Sequence, residues 1–133
     1  MMVPEAGDKP QANQKGEIDM MVRILIGAFL VSHGLVHLAL KVTNSWVAGA
    51  LGISMESLAS VAKVAGQVSM AAFILVGLGF FGVPVLSGGL LKVLVVIAAA
   101  ASLLFSVIAV NNVWIIAPLA INVGAVAYVF MRR

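Results

Sequence analysis

The sequence predicts an all-α, multi-pass membrane protein, built as a bundle of four transmembrane helices behind a flexible N-terminal tail. Of its 133 residues, 62% are hydrophobic and 10% are charged, whereas a soluble domain has about 45–50% apolar and about 25% charged residues. The mean hydropathy is +1.15. Four apolar segments, at 22–40, 61–82, 90–110 and 113–131, each approach the roughly 20 residues that cross a bilayer as a helix.

The first 20 residues are polar and contain two prolines and charges of both signs. They could not form a hydrophobic core, so we expect a disordered tail over 1–20 and a transmembrane domain over 21–133. The second helix is predicted to start as early as Met55, with Ser54 as its N-cap. Pro84 and two glycines separate the second span from the third, and Asn111 and Asn112 separate the third from the fourth.

Positive charges predict the orientation. Six of the eight cationic residues lie toward the end of the bundle that holds both termini: Lys9, Lys15, Arg23, Lys92, Arg132 and Arg133. Only Lys41 and Lys63 lie toward the other end. Cytoplasmic loops are enriched in Lys and Arg, so we expect a cell-membrane protein with both termini in the cytoplasm. The net charge of +3 is scattered over the span ends, which argues against a nucleic-acid partner.

The first span contains both histidines of the chain, His33 and His37, in the stretch "SHGLVHL". On a helix they lie about 40° apart, on the face that also carries Gly27 and Gly34. Small residues let helices approach closely, so we expect this face to point into the bundle. Burial should keep both imidazoles neutral and in need of hydrogen-bond partners.

If neighbouring helices alternate in direction, polar residues of the other spans reach the same half of the bundle. The candidate partners are Gln67 on the second span, Ser106 on the third and Asn122 on the fourth, with Gly124 as a further packing position. Three interpretations remain open: hydrogen bonds that only hold helices together, a pocket for a small ligand, and a path for protons or ions.

Several chemistries are disfavoured. No cysteine is present, and no acidic residue lies in a span to complete a metal site with the histidines. A bis-histidine haem needs its ligands on opposite sides of the ring, whereas these two share one helix. "GLGFFG" at 77–82 matches a dinucleotide-binding fingerprint, but that motif requires a preceding strand, and here it ends an apolar helix. We expect no catalytic residues in this chain alone.

The stretch "RILIGAFLVSHGLVHL", residues 23–38, resembles the opening helix of DoxX-like membrane proteins, which also share the length and the four-span layout. The resemblance implies an accessory subunit of a quinone-linked oxidoreductase complex, with a quinone as the ligand. Arg23, Gly34 and His37 are the positions that match. We expect the bilayer and other membrane subunits, or further copies of this chain, as partners. The alternatives are a small homo-oligomeric transporter or channel-like protein and a purely structural or assembly protein.

Overall fold

The computed structural model describes residues 9–39, 44–109 and 115–131, and no strand occurs in these ranges. The helices in chain order are α1 (Lys9–Val36), α2 (Ser45–Leu51), α3 (Met55–Phe80), α4 (Gly88–Ala109) and α5 (Ile116–Met131), with one 3₁₀ turn at Pro84–Leu86. Three helical segments are long and apolar enough to cross a membrane: Gln14–Val36, Met55–Phe80 and Gly88–Ala109. The fourth predicted span corresponds to α5, which is apolar but has only 16 residues.

The start of α3 confirms the predicted cap. The Ser54 hydroxyl oxygen accepts a hydrogen bond from the Ser57 backbone N–H at 3.1 Å, which satisfies one of the amide groups that a helix leaves without an internal partner. The helix therefore begins at Met55, six residues before the apolar run predicted from the sequence.

The structure differs from the expectation of a disordered tail over 1–20. Helix α1 begins at Lys9, so residues 9–20 are helical, while residues 1–8 lie outside the described part of the chain. Once a helix has nucleated, each added residue gains a hydrogen bond, and residues 11–15, "QANQK", consist mostly of good helix formers. The apolar span thus continues as helix into the polar segment.

Helix α3 packs against α1 on one side and α4 on the other, and α5 packs against α4. Two apolar clusters fill the bundle. One lies toward the α3–α4 connection and contains Leu30, Ala72, Phe73, Val76, Phe80, Val95, Ala98 and Val129. The other lies toward α2 and contains Val47, Ala48, Leu58, Ala62, Ala65, Phe105, Ile108 and Ala109. Along α3 and α4 the two clusters are separated by a band of buried polar side chains.

Glycines set the close approach of α1 and α3. A Cβ atom added at Gly77 would lie 2.8 Å from the Gly27 carbonyl oxygen, and one added at Gly34 would lie 3.1 Å from the Met70 carbonyl oxygen. Such distances are shorter than ordinary van der Waals contact, so only glycine fits without a shift. The structure thus places Gly27 and Gly34 at a helix crossing. By contrast, a Cβ added at Gly124 would meet nothing within 4 Å.

Candidate functional site

The buried polar band between the two apolar clusters consists of His37, Ser69, Ser102 and Asn122, and we call it the polar layer. All four residues are less than 9% exposed. They come from α3, α4, α5 and the turn that ends α1, so every long helix of the described chain reaches the same depth with a polar side chain. Burying a polar group costs free energy unless the group is hydrogen bonded, so the stability of the layer depends on its individual hydrogen bonds.

The hydrogen bonds of His37 fix its tautomer. Its Nδ1 lies 3.1 Å from the His33 carbonyl oxygen and 3.2 Å from the Gly34 carbonyl oxygen. Carbonyl oxygens only accept hydrogen bonds, so Nδ1 carries the hydrogen and donates it to the last turn of α1. In the neutral ring Nε2 is then an acceptor.

Ser102 is the hydrogen-bond partner of His37 Nε2. Its hydroxyl oxygen lies 3.0 Å from His37 Nε2, and it also receives a hydrogen bond from Asn122 Nδ2 at 3.1 Å. Ser102 therefore accepts from α5 and donates to His37, which makes a directed chain from Asn122 through Ser102 to the end of α1. Ser69 Oγ lies 3.3 Å from both His37 Nε2 and the Ala98 carbonyl oxygen. Because Ser102 already donates to Nε2, Ser69 donates to Ala98.

His33 differs from His37 in its bonding. Its ring is T-shaped to the rings of Phe73 and His37, with centroids 5.0 Å and 5.3 Å apart, and it stacks on Phe29 at 6.3 Å. Its Nε2 is buried and has no hydrogen-bond partner among the residues that the structure describes. His37 is thus fully paired, whereas His33 presents an open polar atom.

A second open polar atom lies nearby. Asn122 is 4% exposed, and its Oδ1 also makes no hydrogen bond of standard geometry within the described ranges, although its side chain interacts with that of His33. Its Nδ2 donates a hydrogen bond to Ser102 Oγ, which fixes the orientation of the amide. One open nitrogen and one open oxygen therefore lie together where α1 faces α5.

An apolar groove lies between α1 and α5 beside these two residues, and we call it the α1/α5 groove. It has a volume of about 280 Å³ and is lined by Ile26, Phe29, Leu30, Phe80, Ile121, Gly124, Ala125 and Tyr128. Phe29 and Leu30 lie one helical turn before His33 on the same face of α1, and Ile121 directly precedes Asn122. His33 and Asn122 do not line the groove themselves, but residues within one helical turn of each of them do.

The structure brings together three of the five predicted ligand residues. His33, His37 and Asn122 converge in and beside the polar layer. Ser106 is buried but lies one turn after Ser102 on α4, beside the apolar cluster that lies toward α2. Gln67 is exposed, on the side of α3 away from the histidines. Lys41, which the sequence places in line with them, lies outside the described residues.

Ser69 and Ser102, which the sequence places nearer mid-depth than the predicted ligand residues, are the members of the polar layer outside the predicted set. A signal for them exists in the pattern of small residues. On α3, Ala62, Gly66, Ser69 and Phe73 recur at intervals of three or four, the spacing of one helix face. Ser69 lies on this face, whereas Gln67 is about 200° away from Ser69.

The described residues hold no group of three or more His, Cys, Asp and Glu side chains that could bind a metal ion. The "GLGFFG" stretch ends α3: Gly79 lies in its last turn and Gly82 has φ of 95°. This is a helix terminus, not a strand-to-helix turn.

No family model, curated protein or solved structure matches this chain. The likeness of residues 23–38 to DoxX-like proteins therefore stays a prediction.

Proposed function

We propose that this chain is an integral membrane accessory subunit of a quinone-linked oxidoreductase complex, and that it holds the quinone in the α1/α5 groove. In this proposal α5 is a fourth span and both termini are cytoplasmic. The partners are redox subunits or further copies of the chain.

One observation supports this function above the alternatives: two buried polar atoms without a hydrogen bond of standard geometry, His33 Nε2 and Asn122 Oδ1, belong to residues next to the lining of an apolar groove. A side-chain network that served only to hold helices together would gain most from full hydrogen bonds at both atoms, because a buried polar atom without one costs about 1–3 kcal/mol.

The chemistry of the two atoms suits both redox states of a quinone. Imidazole Nε2 donates in one neutral tautomer and accepts in the other, so His33 can face a quinone carbonyl or a quinol hydroxyl. The amide oxygen of Asn122 only accepts, so it pairs with a quinol hydroxyl. The groove accommodates the apolar tail beside Phe29 and Gly124.

The polar layer itself favours a positioning role over transport. His37, Ser102 and Asn122 Nδ2 form one directed chain whose members are all paired. A pathway that moved protons would have to reverse every bond of this chain. The chain instead holds the Asn122 amide with Oδ1 turned away from Ser102.

The test uses the full chain in phosphatidylcholine nanodiscs with decylubiquinone as the probe. We expect the quinone to raise the melting temperature of the wild type. The shift should be lost in His33→Leu, which removes the open nitrogen, and in Gly124→Leu, which extends a large side chain into the groove from a position where a Cβ atom meets nothing within 4 Å.

Ala127→Leu is the matched control, because it enlarges the side chain at an exposed position of the same helix. This position does not line the groove. This variant should keep the full shift. An absent shift in the wild type, or equal shifts in all variants, would contradict the proposal and favour a structural or assembly protein. Ion flux in proteoliposomes, lost in His37→Leu, would favour the transporter alternative.

A further inference from the structure

A second cavity lies at the opposite end of α1, beside the connection between α3 and α4. It has a volume of about 290 Å³ and is lined by Arg23, Gly79, Phe80, Ser87, Gly88, Leu91, Lys92 and Val129. We call it the cation cavity, because the two charged side chains in its wall are both positive. None of its lining residues belongs to the polar layer.

The two cations come from different helices. Arg23 belongs to α1 and is half-buried, while Lys92 belongs to α4 and is exposed. The Lys92 Nζ lies 5.5 Å from the centroid of the Phe130 ring. Among the residues that the structure describes, no carboxylate lines the cavity, and the nearest acid along α1, Asp19, lies one turn before Arg23. The positive charge in this cavity is therefore not balanced from within its wall.

The remaining polar lining also suits an anion. Helix α4 begins at Gly88, and the first amide groups of a helix lack internal acceptors. The Ser87 hydroxyl donates to the Pro84 carbonyl oxygen at 2.6 Å, which fixes the loop beside the cavity. Arginine pairs well with phosphate because its planar group donates two parallel hydrogen bonds.

The other lining residues are apolar and continue toward the membrane interior. Phe80 lines both the cation cavity and the α1/α5 groove, so the two spaces share a wall. A ligand in the cation cavity would thus have its charged group between Arg23 and Lys92 and apolar surface beside it. A phospholipid has this combination.

We propose that Arg23 and Lys92 bind the phosphate of an anionic phospholipid headgroup in the cation cavity. The bound lipid would connect α1 with α4, two helices that do not pack closely against each other. Free phosphate shares the headgroup chemistry but lacks the acyl chains, and the experiment separates the two.

The experiment titrates the full chain in detergent with phosphatidylglycerol and counts bound lipid by native mass spectrometry, with phosphatidylcholine as the neutral comparison. A cation near a lipid phosphate contributes about 1 kcal/mol, or about fivefold in affinity. We expect Arg23→Gln and Lys92→Gln each to weaken phosphatidylglycerol binding about fivefold, and the double variant roughly thirtyfold.

Lys63→Gln is the matched control, because Lys63 is an exposed cation on α3 outside the cavity wall. It should change the affinity less than twofold. If Lys63→Gln weakens binding as much as Lys92→Gln, or if the wild type binds both lipids equally, the proposal is overturned. Arg23→Lys keeps the charge and replaces Arg23→Gln if the latter fails to fold.

A second experiment uses inorganic phosphate in place of the lipid. At millimolar concentration it should neither stabilise the protein nor displace phosphatidylglycerol. If phosphate alone raises the melting temperature and the double variant loses this effect, the lipid assignment is overturned.

Discussion

The two histidines lie one helical turn apart, yet the structure predicts opposite effects when each is replaced by leucine. His37→Leu removes the acceptor of Ser102 and the donor to two α1 carbonyl groups. Side-chain hydrogen bonds inside membranes are worth about 0.6 kcal/mol on average and up to about 1.7. The loss of these bonds should destabilise the protein by about 1–3 kcal/mol.

His33→Leu removes a ring whose Nε2 has no partner among the described residues. Leucine fills a similar space, and the unpaired buried nitrogen disappears with its cost of about 1–3 kcal/mol. In the absence of ligand, His33→Leu should therefore leave the free energy of unfolding unchanged within about 0.5 kcal/mol or increase it.

The assay is equilibrium unfolding in mixed micelles titrated with sodium dodecyl sulfate, followed by circular dichroism, with both variants and the wild type measured without quinone. Both variants replace a histidine of the same helical segment by leucine. The difference between their free energies of unfolding therefore reports the contribution of the His37 hydrogen bonds. Equal losses of stability in His33→Leu and His37→Leu would refute the distinction between a paired and an open histidine.

Three further stability changes follow from the structure and are measured in the same way. Ser102→Ala should destabilise by about 1–2 kcal/mol because two polar groups lose their partner, whereas Ser106→Ala, also buried, should cost less than half of that; equal costs would contradict the role of Ser102 as the centre of the layer. Gly77→Ala should destabilise by about 1–3 kcal/mol relative to Gly124→Ala, because the added Cβ meets the α1 backbone in the first variant and open space in the second. Asn44→Ala removes the 2.8 Å bond from Nδ2 to the Val107 carbonyl oxygen and should speed amide hydrogen exchange in α2, while unchanged exchange would show that other contacts hold this helix.

The location of the helices could be predicted from the sequence because it depends on local quantities. Each long helix coincides with an apolar run, and the break at Pro84 coincides with the 3₁₀ turn. The packing face of α1 was also predictable. Gly27, Gly34 and His37 recur at helical spacing, and the small residues mark where another backbone approaches.

The rotation of α3 and α4 is harder to predict than their location. A helix in lipid is apolar on every side, so hydrophobic periodicity does not tell the inner face from the outer one. Depth along the helices favours Gln67 and Ser106 as partners of the histidines. In the structure the rotation of α3 decides instead, because its small residues Gly66 and Ser69 are buried and Gln67 is exposed.

The two proposed sites are separate spaces that share Phe80 as a wall, and this arrangement has a consequence for both. The open atoms His33 Nε2 and Asn122 Oδ1 belong to the first site, Arg23 and Lys92 line the second, and Phe80 lies in the wall between them. A quinone anchored at the first site and a phospholipid anchored at the second would both direct apolar chains toward Phe80. A lipid chain that passed Phe80 into the α1/α5 groove would take up part of the volume of about 280 Å³ that the quinone occupies, so binding of either ligand should weaken the other by linkage. The lipid around the protein would then regulate how tightly the quinone is held, although no polar group contacts both ligands.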